Sequence, residues 1–272
     1  MKSRMIKSCC LLGVLLMACT GTLMAQDEPT FSASASVDYF NKYVWRGMNL
    51  DNKSVLQYNM SGSAWGFTGA VWANMPLTDY TGYKAGEFNE IDYSLDYSKA
   101  IPNTDKVSFS LGIIHYTFPG TVDVDLTAGT VGVSATTEIY GGLSFNVPLN
   151  PSVTWYRDID TIDGSYLALG VGHTFEKIGA WSDDEYISLD LSANFGVGGP
   201  AYNVGYWGVE EKTKFNDFTL NVGLPITLKH GVSITPSFHL STILSGAIRD
   251  TYSYGEGDSA NYWFGINFTK SF

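Results

Sequence analysis

Two sets of residues could do chemistry at spacings that a β-strand would bring together. His239 and Ser241 flank Leu240, and a strand has a side-chain period of two, so an imidazole and a hydroxyl would share one face as base and nucleophile of a hydrolase. Glu90, Asp92 and Asp96 sit at even positions of one segment and would line a wall with carboxylates, which selects cations by electrostatics rather than cleaving bonds. The hydrolase reading weakens on its own neighbours. Phe238 and Leu240 claim the apolar face, which leaves His239 and Ser241 as polar residues of the opposite, inner face. His115, His173 and His230 are scattered without metal-ligand spacing, and the sequence has no Gly-x-Ser-x-Gly elbow and no phosphate loop.

The elements that must carry these residues read as strands. Residues 262–272 alternate Tyr262, Phe264, Ile266 and Phe268 with Gly265, Asn267, Thr269 and Ser271, over the roughly 9 to 11 residues a tilted strand needs to cross hydrocarbon. Similar alternation predicts strands at 31–46, 55–63, 67–75, 90–98, 107–117, 137–147, 152–159, 165–175, 186–197, 217–226, 232–242 and 261–272. Pro225 and Pro236 interrupt two of these, since proline donates nothing to a ladder. No helical periodicity of useful length, interdomain linker or low-complexity tract stands out.

Export is legible at the other end. Lys2, Arg4 and Lys7 precede an apolar run from Cys9 to Ala18 that is too short to span a bilayer, and Ala25 offers a cleavage site before Gln26. The reading is therefore a signal peptide over 1–25 and one domain over 26–272. Leu16-Met17-Ala18-Cys19 also reads as a lipobox, which would make Cys19 a lipidated first residue. All three cysteines (Cys9, Cys10, Cys19) fall in this leader, so the mature chain has no disulfide and no thiolate metal site. No cofactor is implied.

Composition narrows the class. Aromatic residues make up 14% and charged residues 16% of the chain, yet no mature run approaches the roughly 18 apolar residues of a membrane helix. Contact with lipid would have to be made by strands. The leader takes three of the 16 bases and none of the 27 acids, so the formal net charge moves from -11 to -14 on its removal. Such acidity argues against nucleic acid as a partner, because phosphate is bound by basic surface.

Connection lengths then suggest a topology. With the N-terminus taken as periplasmic, the connections 64–66, 99–106, 148–151, 176–185 and 227–231 are short, while 76–88, 118–136, 198–216 and 243–260 are longer; 48–53 and 160–164 are short exceptions. Twelve strands, alternating turn and loop lengths, and both termini on the periplasmic side predict an all-β, antiparallel, up-and-down transmembrane β-barrel. The chain also resembles the TorF family of outer-membrane porins, through Tyr43-Val44-Trp45-Arg46-Gly47, Trp72-Ala73-Asn74, Glu90-Ile91-Asp92, Tyr116-Thr117-Phe118-Pro119-Gly120 and Glu138-Ile139-Tyr140. It departs from that pattern after Arg46-Gly47, where Met48-Asn49-Leu50-Asp51 replaces Ile-Ser and a proline. The resemblance implies an outer-membrane location, a barrel and a pore. The spacing of His239 and Ser241 is similar to that of barrel phospholipases, but Thr242 stands where their asparagine follows.

Parity assigns Asp38, Lys42, Arg46, Glu90, Asp92, Asp96, Glu138, Asp158 and Asp190 to the lumen. Acids outnumber bases there, so an open lumen would favour small cationic or neutral solutes; the alternative for each charge is a partner that braces the interior. Tyr39, Tyr43, Trp45, Trp72, Tyr97, Tyr116, Trp155 and Trp263 lie near predicted strand ends and are read as membrane girdles against outer-membrane lipid. Phe272 resembles the terminal aromatic that barrel-assembly machinery recognises. The competing expectations are a soluble exported β-sandwich that binds or adheres, and a barrel-embedded hydrolase.

Overall fold

The computed structural model describes residues 31–79, 83–104, 106–119, 135–251 and 259–272. The predicted leader, its cleavage at Ala25 and the lipidation alternative at Cys19 lie outside the described residues.

The elements are β1 (Ser32–Phe40), β2 (Tyr43–Trp45), β3 (Met48–Asp51), β4 (Val55–Ala64), β5 (Phe67–Pro76), β6 (Glu90–Ala100), β7 (Val107–Thr117), β8 (Thr136–Phe145), β9 (Ser152–Asp158), β10 (Ser165–Ala180), β11 (Tyr186–Gly198), α1 (Pro200–Trp207), β12 (Lys214–Gly223), β13 (Ile226–Leu228), β14 (Val232–Ile243), α2 (Gly246–Thr251) and β15 (Ala260–Ser271). Every neighbouring pair in the large sheet is antiparallel, β10 pairs with β11, and β1 pairs with β15 from Ser34↔Ser271 to Phe40↔Gly265. The ladder thus closes on itself. With β13 continuing β12 across Leu224-Pro225, the wall is a closed antiparallel barrel of twelve strands. Register is kept across that break, and Leu224 N–H donates to Pro236 O at 3.0 Å, so the two prolines face one shared gap in the ladder.

The pleat decides which face is which. Along β15, Tyr262, Phe264, Ile266 and Phe268 are exposed while Asn261, Trp263, Gly265, Asn267 and Thr269 are buried. Tyr93 and Leu95 on β6, Leu111 and Ile113 on β7, and Ile139 and Leu143 on β8 continue the apolar exterior. An exterior this apolar around a polar interior suits hydrocarbon, where a closed ladder leaves no backbone group unpaired. A soluble sandwich would turn these faces inward against one another, so that expectation is overturned.

One rim carries the tight turns and both described chain ends. There Trp65 (φ 54°) and Gly66 (φ 88°) form a two-residue turn, and a Cβ at Gly66 would meet Ser98 O at 2.9 Å. The other rim carries the longer connections. They hold two short helices that the sequence reading lacked, α1 and α2, and the hairpin β2–β3, which forms a sheet separate from the wall. The predicted first strand over 31–46 is therefore too long: it leaves the wall after Phe40.

Candidate functional site: the lumen and its inward-folded hairpin

Inward residues change character along the barrel axis. Toward the turn rim they are small and partly exposed, among them Ser34, Ser61, Thr68, Ser110, Ser144 and Thr154. Toward the loop rim they are bulky or charged and buried: Asp38, Glu90, Asp92, Glu138, Tyr140, Tyr156, Asp158, Tyr166 and Asp217. Within that half, Met48 of the hairpin, Tyr116, Tyr140, Tyr156 and Tyr166 of the wall, Tyr202 and Trp207 of α1, and Ile248 of α2 form one buried cluster. The interior near the loop rim is filled by elements that hang from it.

Arg46 is the centre of this filling. It takes a left-handed backbone (φ 44°) at the hairpin tip, followed by Gly47 at φ 83°, where a Cβ would come within 2.8 Å of Asp217 Cβ and Ile243 Cδ1. Its two terminal nitrogens donate to Glu138 Oε1 and Oε2, both at 2.8 Å. Its guanidinium carbon lies 4.4 Å from the Trp45 ring centroid, 4.5 Å from Tyr156 and 4.4 Å from Tyr166. Tyr116 Oη adds a 2.9 Å donation to Glu138 Oε2. A planar cation with a matched carboxylate and aromatic faces satisfies every demand of a buried charge.

The remaining predicted lumen residues point inward, each with its own surroundings. Asp38 accepts from Asn267 Nδ2, and Lys42 donates to Asn261 Oδ1 at 3.2 Å from the link after β1. Glu90 accepts from the Tyr43 hydroxyl. Asp96 accepts from Tyr140 Oη at 2.8 Å and from Ser98. Asp158 accepts from Thr136 Oγ1 at 2.7 Å and from the N–H of Asp160 at 2.9 Å and Ile162 at 3.2 Å, which folds the short β9–β10 connection over it. Asp190 is half-buried and lies beside Thr174 and Glu176. Asp217, absent from the predicted set, accepts from Tyr166 Oη at 2.9 and 3.2 Å. Its place at the start of a strand predicted from 217 was the available signal.

The girdle assignment divides. Tyr39 faces outward and its hydroxyl lies 2.9 Å from Ser54 Oγ; Tyr97 packs between Phe67 (4.7 Å) and Phe109 (6.0 Å) on the outer wall; Trp155 is exposed. Tyr43, Trp45, Trp72, Tyr116 and Trp263 are inside and are not girdle residues. Tyr43 and Trp45 ride on the inward hairpin; Trp72 packs on Tyr43 (5.7 Å) from the inward face of β5; Tyr116 serves Glu138; Trp263 stacks on His239 at 4.9 Å. Nearness to a strand end does not set the face: parity turns Trp72, Tyr116 and Trp263 inward, and the hairpin carries Tyr43 and Trp45 in.

His239 is buried in the lumen. Its Nδ1 pairs with Asn221 Oδ1 at 2.7 Å and its Nε2 with Ser237 Oγ at 2.9 Å, while Ser241 Oγ pairs with Thr219 Oγ1 at 2.9 Å. Imidazole and hydroxyl share a face but not a hydrogen bond. Phe272 ends the chain at the turn rim with its ring exposed and its N–H donating to Ala33 O at 2.9 Å. Among the described residues no group of three or more His, Cys, Asp or Glu is placed to hold a metal ion.

No family model matches the chain, so the motif order that resembles the TorF family has no family match behind it, and no curated protein matches either. Solved structures do. LpxR from Salmonella typhimurium is similar at 11% identity and a TM-score of 0.49, over 88% of this chain and 99% of that one. The outer membrane protein OmpT of Vibrio cholerae is similar at 9% identity and a TM-score of 0.41, over 90% and 99%. An outer membrane channel from Pseudomonas putida F1 is similar at 7% identity and a TM-score of 0.42, over 89% and 95%. Likenesses this distant decide nothing about function, and the barrel stands on its own closed ladder.

Proposed function

We propose that the chain is an outer-membrane channel for passive diffusion of small neutral or cationic solutes, with the turn rim periplasmic and the hairpin β2–β3 setting the constriction. The observation that carries this reading is the make-up of the inner face: small hydroxyl residues toward one rim, and toward the other, carboxylates that outnumber the bases beside them. A field of one sign in a low-dielectric lumen raises the local concentration of counter-ions and repels anions. The resemblance to TorF porins accords with it. Outer-membrane lipid and barrel-assembly machinery are the partners this reading requires. A hydrolase is not proposed, because the base His239 is engaged by Asn221 and Ser237 rather than by Ser241.

Planar-bilayer recording tests the reading. The wild-type chain is expected to conduct with a preference for potassium over chloride, and changing Glu90, Asp92 and Asp96 together to amides should weaken that preference. A silent bilayer for both the wild type and a variant lacking the hairpin would overturn the channel.

A further inference from the structure

Glu90 and Asp92 are two residues apart on β6, so their side chains leave the same inward face roughly 7 Å apart at the backbone. Both are buried, and among the described residues neither takes part in an ion pair. Arg46 gives both terminal nitrogens to Glu138. Glu90 and Glu138 act electrostatically on Asp92 and add to its negative field instead of relieving it. Glu90 has the Tyr43 hydroxyl as donor, but Asp92 Oδ1 is buried without any hydrogen-bond partner, although Asp92 is only 3% exposed. An orphaned carboxylate oxygen in so buried a place is relieved by a proton, a water or a cation, and two neighbouring acids favour the cation.

We propose that Glu90 and Asp92 hold a hard divalent cation of the calcium class between them. Two carboxylates match its charge, their oxygens are the ligand type that such ions take at about 2.3–2.6 Å, and water completes the shell. The site sits where β6 begins at the loop rim, beside the hairpin's Tyr43, so the ion would also tie the hairpin to the wall.

The test uses the full mature chain folded in detergent, stripped with chelator and dialysed against calcium chloride, with bound metal counted by elemental analysis. Wild type should retain about one equivalent and gain thermal stability with calcium. Asp92→Asn should bind at least tenfold more weakly and show no calcium-dependent shift, while Asp38→Asn, a lumen carboxylate that already accepts from Asn267, should behave as wild type. In chelator the order inverts, and Asp92→Asn should melt above wild type because repulsion with Glu90 is gone. Should Asp92→Asn fail to show the heat-modifiable gel mobility of a folded barrel, Glu90→Gln takes its place. Absence of calcium binding, equal binding by all variants, or retention of sodium or potassium alone would overturn the site. Conductance plays no part in this readout, so a silent bilayer leaves the site standing.

Discussion

At the residue scale the decisive contact is Arg46 with Glu138, which lie 92 residues apart in sequence. Glu138 was legible as an inward charge from the alternation of β8, whereas Arg46 was assigned inward by the parity of a strand that ends at Phe40 and reaches the lumen instead at the hairpin tip. Their pairing was not legible, since a strand's period says which wall a side chain faces and nothing about what hangs in front of it. The pair is worth most through what its loss leaves behind. Arg46→Ala strands Glu138 in a buried site and should destabilise the folded protein by about 3–5 kcal/mol. Arg46→Lys should restore only part of this, because an ammonium has neither the bidentate fork nor the planar face that meets Trp45, Tyr156 and Tyr166. Thermal unfolding of the three proteins in one detergent checks the order.

A second residue of the hairpin makes it pH-sensitive. Burial pushes the Asp51 carboxyl up to about 6 from an ordinary 3.8, against the lowering effect of the Lys53 N–H, which it accepts at 2.8 Å. The folded state therefore binds this proton more tightly than the unfolded chain, and stability falls as pH rises from about 4 through about 6. Asp51→Asn keeps an acceptor for Lys53 and removes the charge. Its melting temperature should match that of wild type near pH 4 and exceed it at pH 7; coincident curves across that range would contradict the assignment.

At the element scale, the barrel strands were readable and the inserts were not. β7 over Val107–Thr117 coincides with its predicted span, and β4, β5, β9 and β11 differ from theirs by a residue at one end, because a wall with lipid outside and polar groups inside enforces strict alternation. The hairpin defeated this logic. Tyr43-Val44-Trp45 alternates like the strand before it, so 31–46 read as one element, although Asn41 and Arg46-Gly47 are turn residues. The helices are too short for periodicity to register. α1 has eight residues, and its punctuation, Pro200 at its start and a left-handed Gly208 at its end, was the only trace available. The hairpin hangs from the rim on links outside the wall, so replacing 43–51 by a short Gly-Ser segment should leave the barrel's heat-modifiable mobility intact. If the channel reading holds, conductance should rise several-fold; unchanged conductance would place the constriction elsewhere.

At the scale of the whole molecule, closure depends on β15, which pairs with β1 on one side and β14 on the other. Its alternation is the most regular in the chain, and its last residue has little to do with holding the barrel shut. Phe272 contributes one backbone bond, from its N–H to Ala33 O, and a ring whose centroid lies 5.0 Å from Lys270 Nζ, and the residue is 75% exposed. Removing the residue should therefore cost the finished barrel no more than about 1 kcal/mol. Recognition during assembly is a different requirement, because a terminal aromatic can be read before the strand has any partner. Deleting Phe272 should lower the amount of protein recovered in the outer membrane of expressing cells several-fold. The same variant, refolded from urea into detergent, should keep wild-type mobility, thermal midpoint and single-channel conductance. Equal recovery of both chains from the membrane would remove the assembly role, and a matching loss in the refolded protein would transfer Phe272 to the structural side.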